Sequence, residues 1–271
     1  MSQIIAEAQS DLVIGLVQSV LFWEDPTKNC LHFTQLITQS QKKADVWILP
    51  EMCTTGFSMK TQHALLPEVV LEWMIPIAKN TDAAICGSVM VADKGFFFNR
   101  FFWVEPDGGY YFYDKRHMFR MAGEHEVFTG GKSQVVFSFR GWKIMPQICY
   151  DLRFPVWSRN RLETGEYAYD LLIYVANWPE KRRDAWKALL PARAVENQAY
   201  VAGLNRVGTD GYGIDYAGDS AVFGFLGNAL LPFLDGSESV ELISLSRTEL
   251  MSYRKAFPAM MDADDFSLIK S

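Results

Sequence analysis

Three polar residues of the chain stand directly after apolar runs, and together they could attack a carbonyl carbon. Glu51 follows VWILP, Lys115 follows YYFYD, and Cys149 follows WKIMPQI. A cysteine attacks a carbonyl as its thiolate, so it needs a base that removes the thiol proton. Glutamate can act as that base, and lysine can stabilise the charge that develops on the carbonyl oxygen. The three residue types therefore predict covalent catalysis by a thiol.

The stretch QICYDLRFP, residues 147–155, indicates how the thiol is presented. An apolar run ends at Cys149, as expected for a nucleophile on a sharp turn between a strand and a helix. At such a turn the amide N–H of Tyr150 can donate a hydrogen bond to the oxyanion, beside Lys115. Lys115 is also expected to favour the thiolate form of Cys149. We interpret Asp151 as a structural partner of Arg153.

The other cysteines offer alternative interpretations of the chemistry. A buried cysteine is more often inert than catalytic, so Cys149 alone would not predict an enzyme. Cys53 stands two residues after Glu51 and is a rival nucleophile, but no comparable turn sequence follows it. We interpret Cys53 as core or site lining, and Cys30 and Cys86 as core residues. The four cysteines form no C-x-x-C pair and match no zinc pattern, so no metal site is expected.

Short apolar runs separated by turns indicate a fold with more strands than helices. Helical spacing predicts helices over residues 24–43, 67–80 and 179–199. Asp107-Gly108-Gly109 and Arg140-Gly141 are typical of hairpin turns. Buried runs rich in β-branched residues favour sheets that are covered on both faces. Two mixed sheets with outer helices fit this pattern, and periodicity does not separate them from one doubly wound sheet. The predicted strands are residues 11–20, 44–52, 83–91, 96–106, 108–117, 133–139, 142–148, 169–179, 200–208, 220–226 and 239–245.

Composition excludes several classes of protein. The chain has 271 residues, 49% of them hydrophobic, and no linker-like tract, so one domain over residues 1–271 is expected. A net charge of −6 argues against a nucleic-acid-binding protein. The N-terminus lacks the pattern of a signal peptide, and no apolar stretch has the length of a membrane span. The expected protein is soluble and cytoplasmic, with reduced thiols.

Four groups of polar residues are interpreted as structural. Lys181, Arg182 and Arg183 form a basic cluster followed by an acid, which is typical of a solvated helix start. His117 and His125 lack the spacing of metal ligands, so hydrogen bonding within a loop is their expected role. On the predicted third helix, we expect Arg193 and Glu196 to form an ion pair. On the strand predicted over residues 200–208, we expect Asn205 and Arg206 to support the site from below.

The segments around the three polar residues resemble the nitrilase superfamily of carbon–nitrogen hydrolases. LPEMCTTGF surrounds Glu51, YDKRHMF surrounds Lys115, and ICYDLRFP surrounds Cys149. YVANWP, RAVENQAYV and NRVG match further segments of the family in the same order, so the resemblance extends from about residue 11 to 260. DKRHMFRMAGEHE and FPAMMDADDF are most similar to the ω-amidase branch.

This resemblance implies a four-layer α-β-β-α sandwich that assembles as a homodimer or a larger homo-oligomer. It also implies a catalytic triad of glutamate, lysine and cysteine, which falls on Glu51, Lys115 and Cys149. The family often adds a second glutamate after the lysine, which holds the lysine and orients the substrate. Glu124 is the preferred candidate, because it follows a glycine in a loop that can fold back, and Glu126 is the alternative.

For the ω-amidase branch the implied substrates are amides of short α-keto dicarboxylates, such as 2-oxoglutaramate and 2-oxosuccinamate. Arg153 is the candidate for the far carboxylate, because a guanidinium binds a carboxylate through two hydrogen bonds. Phe119, Tyr150, Asn177 and Trp178 are the other candidate substrate-binding residues. The chemistry needs neither a metal nor an organic cofactor. A nitrilase, an N-carbamoyl amide hydrolase, a thioester-based acyltransferase and an inactive scaffold remain alternatives.

Overall fold

The computed structural model describes residues 11–268 and contains two large β-sheets with helices on their outer faces. The helices are α1 (Pro26–Thr38), α2 (Pro67–Thr81), α3 (Glu124–Val127), α4 (Arg183–Asn197) and α5 (Arg247–Ala256). The strands are β1 (Leu12–Gln18), β2 (Val46–Ile48), β3 (Ala84–Asp93), β4 (Phe96–Val104), β5 (Tyr110–Asp114), β6 (Phe137–Phe139), β7 (Trp142–Ile148), β8 (Leu162–Glu163), β9 (Glu166–Tyr167), β10 (Leu171–Ala176), β11 (Tyr200–Asn205), β12 (Val207–Thr209), β13 (Asp215–Ala217), β14 (Ala221–Phe223), β15 (Ala229–Leu231) and β16 (Ser239–Leu245). None of the helices described within residues 11–268 is long and apolar enough to cross a membrane.

Each large sheet has a parallel centre and antiparallel edges. The first sheet has the order β16-β1-β2-β3-β4-β5, and the second has the order β15-β14-β11-β10-β7-β6. β1, β2 and β3 are mutually parallel, as are β7, β10 and β11. The remaining pairs of each sheet are antiparallel, so both sheets are mixed.

Buried side chains join the layers. Leu12 and Ile14 of β1 belong to the same apolar cluster as Ile144 of β7 and Leu172 of β10, so the two sheets share one core. Phe33 of α1 packs in a second cluster with α2 and the outer face of the first sheet. On the second sheet, a Cβ at Gly203 of β11 would lie 2.5 Å from Leu190 of α4, so this glycine lets the helix pack closely. The order of layers confirms the predicted α-β-β-α sandwich.

Local signals predicted two hairpin turns and the start of α1. Asp25 accepts a hydrogen bond from the amide of Lys28 and caps α1, and Pro26 begins the helix. The two glycine-containing hairpin turns join β4 to β5 and β6 to β7. Pro76 lies inside α2 and does not end it, because the buried face of the helix packs on the first sheet. The short strands β8, β9, β13 and β15 were not predicted, and β12 was predicted only as the end of the strand over residues 200–208.

The strand directions place the three polar strand ends at one edge of the sandwich. β4 is antiparallel to β3 and β5 is antiparallel to β4, so β5 runs in the same direction as β2. Glu51 and Lys115 therefore follow carboxyl ends on one edge of the first sheet. Cys149 follows β7 of the facing sheet. Side chains from both sheets can meet between these ends, as is common at the carboxyl ends of strands in α/β folds.

Candidate active site

Cys149 lies on a sharp turn between β7 and the short 3-10 helix Cys149–Arg153. Its φ is 46°, a left-handed conformation that is costly for a residue with a Cβ and that needs support from its surroundings. Asp151 provides that support, because its Oδ2 accepts hydrogen bonds from the amide of Ile148 at 3.0 Å and from the hydroxyl of Tyr113 at 2.8 Å. The turn predicted at this cysteine is therefore present.

The predicted pairing of Asp151 with Arg153 is wrong. Asp151 is fully buried, and its Oδ1 lies 3.0 Å from the backbone nitrogen and 2.7 Å from Nδ1 of His117. The imidazole also stacks on Phe154, with 3.8 Å between the ring centroids. A buried carboxylate takes the donors that surround it inside the core. Arg153 is exposed and lies against the ring of Trp178 instead. The expected role of His117 in loop hydrogen bonding is confirmed.

A second contact supports the 3-10 helix from α4. Arg193 forms the predicted ion pair with Glu196, with 2.9 Å between Nη1 and Oε1. Its Nη2 also donates a 2.7 Å hydrogen bond to the carbonyl oxygen of Leu152. The ion pair therefore connects the helix on the outer face of the second sheet to the turn that carries Cys149.

Lys115 lies between two buried glutamates. Its Nζ is 2.8 Å from Oε1 of Glu51, and 2.9 and 3.0 Å from the two carboxylate oxygens of Glu124. All three side chains are fully buried. Glu124 also accepts a hydrogen bond from the amide of Phe119 at 2.5 Å, which folds the loop back over the lysine. Glu126 is 76% exposed and lies outside this group, so the preference for Glu124 agrees with the geometry.

The charges around Lys115 are unbalanced, because two carboxylates share one ammonium group. Burial would lower the pKa of Lys115, but the charges of Glu124 and Glu51 outweigh burial and raise it, so the lysine is permanently charged. Burial raises the pKa of Glu124, against the opposing effect of Lys115, and the charge of Glu51 raises it further. The group formed by Glu51, Lys115 and Glu124 is therefore suited to holding and returning a proton.

The surroundings of Cys149 favour its neutral thiol form. Burial raises its pKa well above the ordinary value, and the charge of Glu51 and a hydrogen bond to Glu51 add to this effect. Lys115 lowers the pKa of Cys149, as the sequence predicted, but it does not outweigh these effects. The thiol must therefore lose its proton when it attacks, and Glu51 is the carboxylate in contact with it.

Asn99 of β4 is a part of this site that was not predicted from the sequence. Its Nδ2 lies 2.8 Å from Oε1 of Glu51 and 3.3 Å from Oε1 of Glu124. Its Oδ1 accepts a 2.8 Å hydrogen bond from the hydroxyl of Ser88, which also accepts one from the amide of Met52. These bonds orient the amide group so that its donors face the carboxylates. One signal was available, because an asparagine inside the apolar run FFFNRFF needs a buried partner.

Asn177 holds Glu51 from the second sheet. Its backbone amide donates a 2.7 Å hydrogen bond to Oε2 of Glu51, and its Nδ2 donates one of 2.5 Å to the Glu51 carbonyl oxygen. Its own carbonyl oxygen lies 3.9 Å from Sγ of Cys149. The next residue, Trp178, exchanges backbone hydrogen bonds with the Asn205 side chain at 2.8 and 3.0 Å, so the expected support from Asn205 is confirmed.

A cavity of about 380 Å³ opens above Cys149, within the size range of small-ligand sites. The predicted substrate-binding residues Phe119, Tyr150, Arg153, Asn177 and Trp178 all line it. The remaining lining residues, which the sequence analysis did not select, are Phe57, Met59, Met121, Ala122, Pro179, Arg182, Asp210, Tyr212, Ile214 and Tyr216.

The other cysteines lie away from this cavity. Cys53 and Cys86 are fully buried, and neither lines the cavity, so the rival nucleophile Cys53 has no access to a ligand there. Burial raises the pKa of the Cys30 thiol to about 12, and this residue lies on α1. Only Cys149 combines contact with the cavity and contact with a carboxylate among the cysteines.

Comparison with known proteins gives concordant matches. The family model described as carbon-nitrogen hydrolase matches residues 13–255. The protein "Omega-amidase YafV" of Yersinia enterocolitica is 47% identical over 261 residues, which cover 96% of this chain and 100% of the relative. The "2-oxoglutaramate amidase" of Bacillus subtilis is 32% identical over 222 residues, which cover 80% of this chain and 84% of that protein.

Solved structures give the same result at the level of the fold. XC1258 from Xanthomonas campestris, a CN-hydrolase superfamily protein with an arsenic adduct in its active site, superposes with a TM-score of 0.92. It is 43% identical and covers 96% of this chain and 99% of its own. Nit3 of Saccharomyces cerevisiae, a member of the nitrilase superfamily, superposes with a TM-score of 0.81 at 20% identity and covers 92% and 94% of the two chains.

Proposed function

The chain belongs to the carbon–nitrogen hydrolase family and is an amidase, and from this premise we propose that it is an ω-amidase. Its substrates are then the terminal amides of short α-keto dicarboxylates, such as 2-oxoglutaramate and 2-oxosuccinamate. The observation that carries the proposal is a cavity that is lined by both Cys149 and Arg153, with the Arg153 guanidinium on the ring of Trp178 in the same wall. A thiol can attack the amide at one end of such a substrate while a cation binds the carboxylate at the other.

The reaction begins with attack on the amide carbon. Glu51 removes the proton from Cys149 as the sulfur forms a bond to that carbon. The carbonyl oxygen becomes an oxyanion, which accepts hydrogen bonds from Lys115 and from the amide N–H of Tyr150. Glu51 then gives its proton to the amide nitrogen, the carbon–nitrogen bond breaks, and ammonia leaves a thioester on the sulfur.

Hydrolysis of the thioester repeats these roles with water. Glu51 removes a proton from a water molecule, whose oxygen attacks the thioester carbon, and Lys115 again stabilises the oxyanion. The carbon–sulfur bond breaks, Glu51 returns its proton to the sulfur of Cys149, and the dicarboxylate leaves. Glu124 keeps Lys115 in position throughout, because it binds the ammonium through both oxygens. No group outside the chain takes part except water.

An ammonia-release assay over a set of substrates tests the proposal. The set contains 2-oxoglutaramate, 2-oxosuccinamate, a neutral primary amide, a nitrile and an N-carbamoyl amine. We expect the highest kcat/KM with the two α-keto acids, and a nitrile or carbamoyl amine as the best substrate would contradict the proposal.

Two alanine variants test the nucleophile. Cys149→Ala should release no ammonia, because the variant cannot form the thioester. The matched control is Cys53→Ala, which removes a buried thiol that does not line the cavity and should keep the activity. Turnover by Cys149→Ala, or its loss in Cys53→Ala with the fold intact, would show that the nucleophile is assigned incorrectly.

A further inference from the structure

Arg182 lies in a different environment from its basic neighbours. The sequence suggested that Lys181, Arg182 and Arg183 form one solvated cluster, but the structure separates them. Lys181 is exposed, and Arg183 forms an ion pair with Asp219, with 2.8 Å between Nη2 and Oδ1. Arg182 is half-buried and lines the cavity above Cys149. The interpretation as a solvated helix start is therefore wrong for Arg182.

Residues of the cavity wall hold Arg182 in place. The carbonyl oxygen of Arg182 accepts a 2.8 Å hydrogen bond from Nε1 of Trp178. Its guanidinium carbon lies 5.3 Å from the centroid of the Phe119 ring, and its Nη2 lies 2.8 Å from Sδ of Met121. Phe119, Met121 and Trp178 all line the cavity, so the guanidinium is held against its wall.

Arg153 has a parallel arrangement on the same cavity. Its guanidinium carbon lies 5.2 Å from the centroid of the Trp178 ring. Trp178 therefore carries one guanidinium on its ring and holds the backbone of the other through its indole N–H. Two arginines lie on two aromatic rings of one pocket, each with hydrogen-bond donors left for a ligand.

Neither guanidinium is neutralised within residues 11–268. No carboxylate there forms an ion pair with Arg153 or Arg182. Asp210 is the one acid among the described residues that lines the cavity. It already accepts hydrogen bonds from the amides of Tyr212 and Ile214 and from the hydroxyl of Tyr216, at 2.8, 3.0 and 2.9 Å. The pocket is mostly apolar and has two guanidinium groups, and the carboxylate of Asp210 is already hydrogen-bonded within the protein. Such a pocket favours an anionic ligand.

We propose that Arg182 binds the 2-oxo acid end of the substrate together with Arg153 and thereby selects these substrates over neutral amides. This inference rests on the proposed function. A 2-oxo acid presents two carboxylate oxygens and one ketone oxygen in a compact group. One guanidinium can bind two of these oxygens as a fork, and the second can donate to the third. Arg182 is thus a specificity-determining residue.

A pair of glutamine variants tests this role. Arg182→Gln and the matched control Lys181→Gln each remove one positive charge from adjacent positions, but Lys181 does not line the cavity. We expect Arg182→Gln to raise KM for 2-oxoglutaramate about tenfold or more, while Lys181→Gln leaves it unchanged. Arg182→Lys should recover only part of the loss, because an ammonium lacks the planar fork.

Iodoacetamide is a small neutral amide that alkylates Cys149. Its rate of reaction shows whether the substitution affects only the binding of charged substrates or also the reactivity of Cys149. Arg182→Gln should alkylate Cys149 at the wild-type rate. An equal loss of alkylation and turnover, or an unchanged KM for 2-oxoglutaramate, would overturn the role of Arg182 and leave the proposed function standing. If the wild-type protein releases no ammonia from 2-oxoglutaramate but cleaves another amide, the proposed function itself fails, and the role of Arg182 fails with it.

Discussion

Replacement of Asn99 by leucine tests whether the buried amide prepares Glu51 for catalysis. Leucine has a similar shape but no donor, so the 2.8 Å hydrogen bond to Glu51 and the 3.3 Å bond to Glu124 are both lost. Glu51 keeps its contacts with Lys115 and with the amide of Asn177. The carboxylate therefore remains in the site with one donor fewer.

The size of the effect follows from the geometry. The 3.3 Å bond is at the limit of hydrogen-bond length, so only the 2.8 Å bond to Glu51 is counted. A hydrogen bond to a charged group contributes about 1.5–3 kcal/mol. Each 1.36 kcal/mol corresponds to about tenfold in rate, so kcat should fall roughly 10- to 150-fold if the transition state bears the whole loss. KM should change little, because Asn99 does not line the cavity.

Steady-state kinetics with 2-oxoglutaramate measures the effect on kcat and KM. Thermal unfolding measures the effect on stability separately. The matched control is Asn160→Leu, which removes another buried amide whose Nδ2 donates to the carbonyl oxygens of Tyr169 and Asn197. Both variants should lose about 1–3 kcal/mol of unfolding free energy, but only Asn99→Leu should lose kcat. A wild-type kcat in Asn99→Leu, or an equal fall in Asn160→Leu, would show that Asn99 does not prepare Glu51 for catalysis.

Three further outcomes are expected from the electrostatics and the turn at the site. Glu51→Gln should lose turnover yet alkylate faster with iodoacetamide at about pH 8, because Glu51 raises the pKa of Cys149 and its replacement lowers that pKa. Slower alkylation would contradict this sign. In the wild-type protein, mass spectrometry should find Cys149 alkylated before Cys86, which is fully buried; the reverse order would argue against access through the cavity. Asp151→Asn should lower the unfolding free energy by about 2–3 kcal/mol and also lower kcat, since a donor replaces an acceptor beside Ile148 and His117. An unchanged melting temperature would show that Asp151 does not hold the turn.

Features that depend on neighbours along the chain were predictable. The turn at Cys149 was visible because an apolar strand ends there, and the hairpin turns were visible because glycines follow Asp107 and Arg140. The α-β-β-α architecture came from the resemblance of whole segments to a family, since apolar periodicity also allowed a single sheet. Glu124 was preferred over Glu126 for its loop position, and the structure places it against Lys115.

Features that depend on contacts across the fold were missed or assigned incorrectly. Asp151 was paired with Arg153 because they are two residues apart, whereas its partners Tyr113 and His117 come from the first sheet and the loop after it. Arg182 was grouped with its neighbours for the same reason. Within a charged run of sequence, no local signal distinguishes a basic side chain that lines a cavity from one that faces solvent.

The order of apolar runs and turns along the chain was enough to locate Glu51, Lys115 and Cys149 at the ends of strands, because strand ends are encoded by short-range patterns. The distances among them depend on the packing of two sheets. Asn177 binds Glu51 from a position 126 residues away along the chain, and Asn99 reaches the same carboxylate from a third strand. Such contacts have no period in sequence, since they arise only when the burial of both sheet faces brings distant strands together.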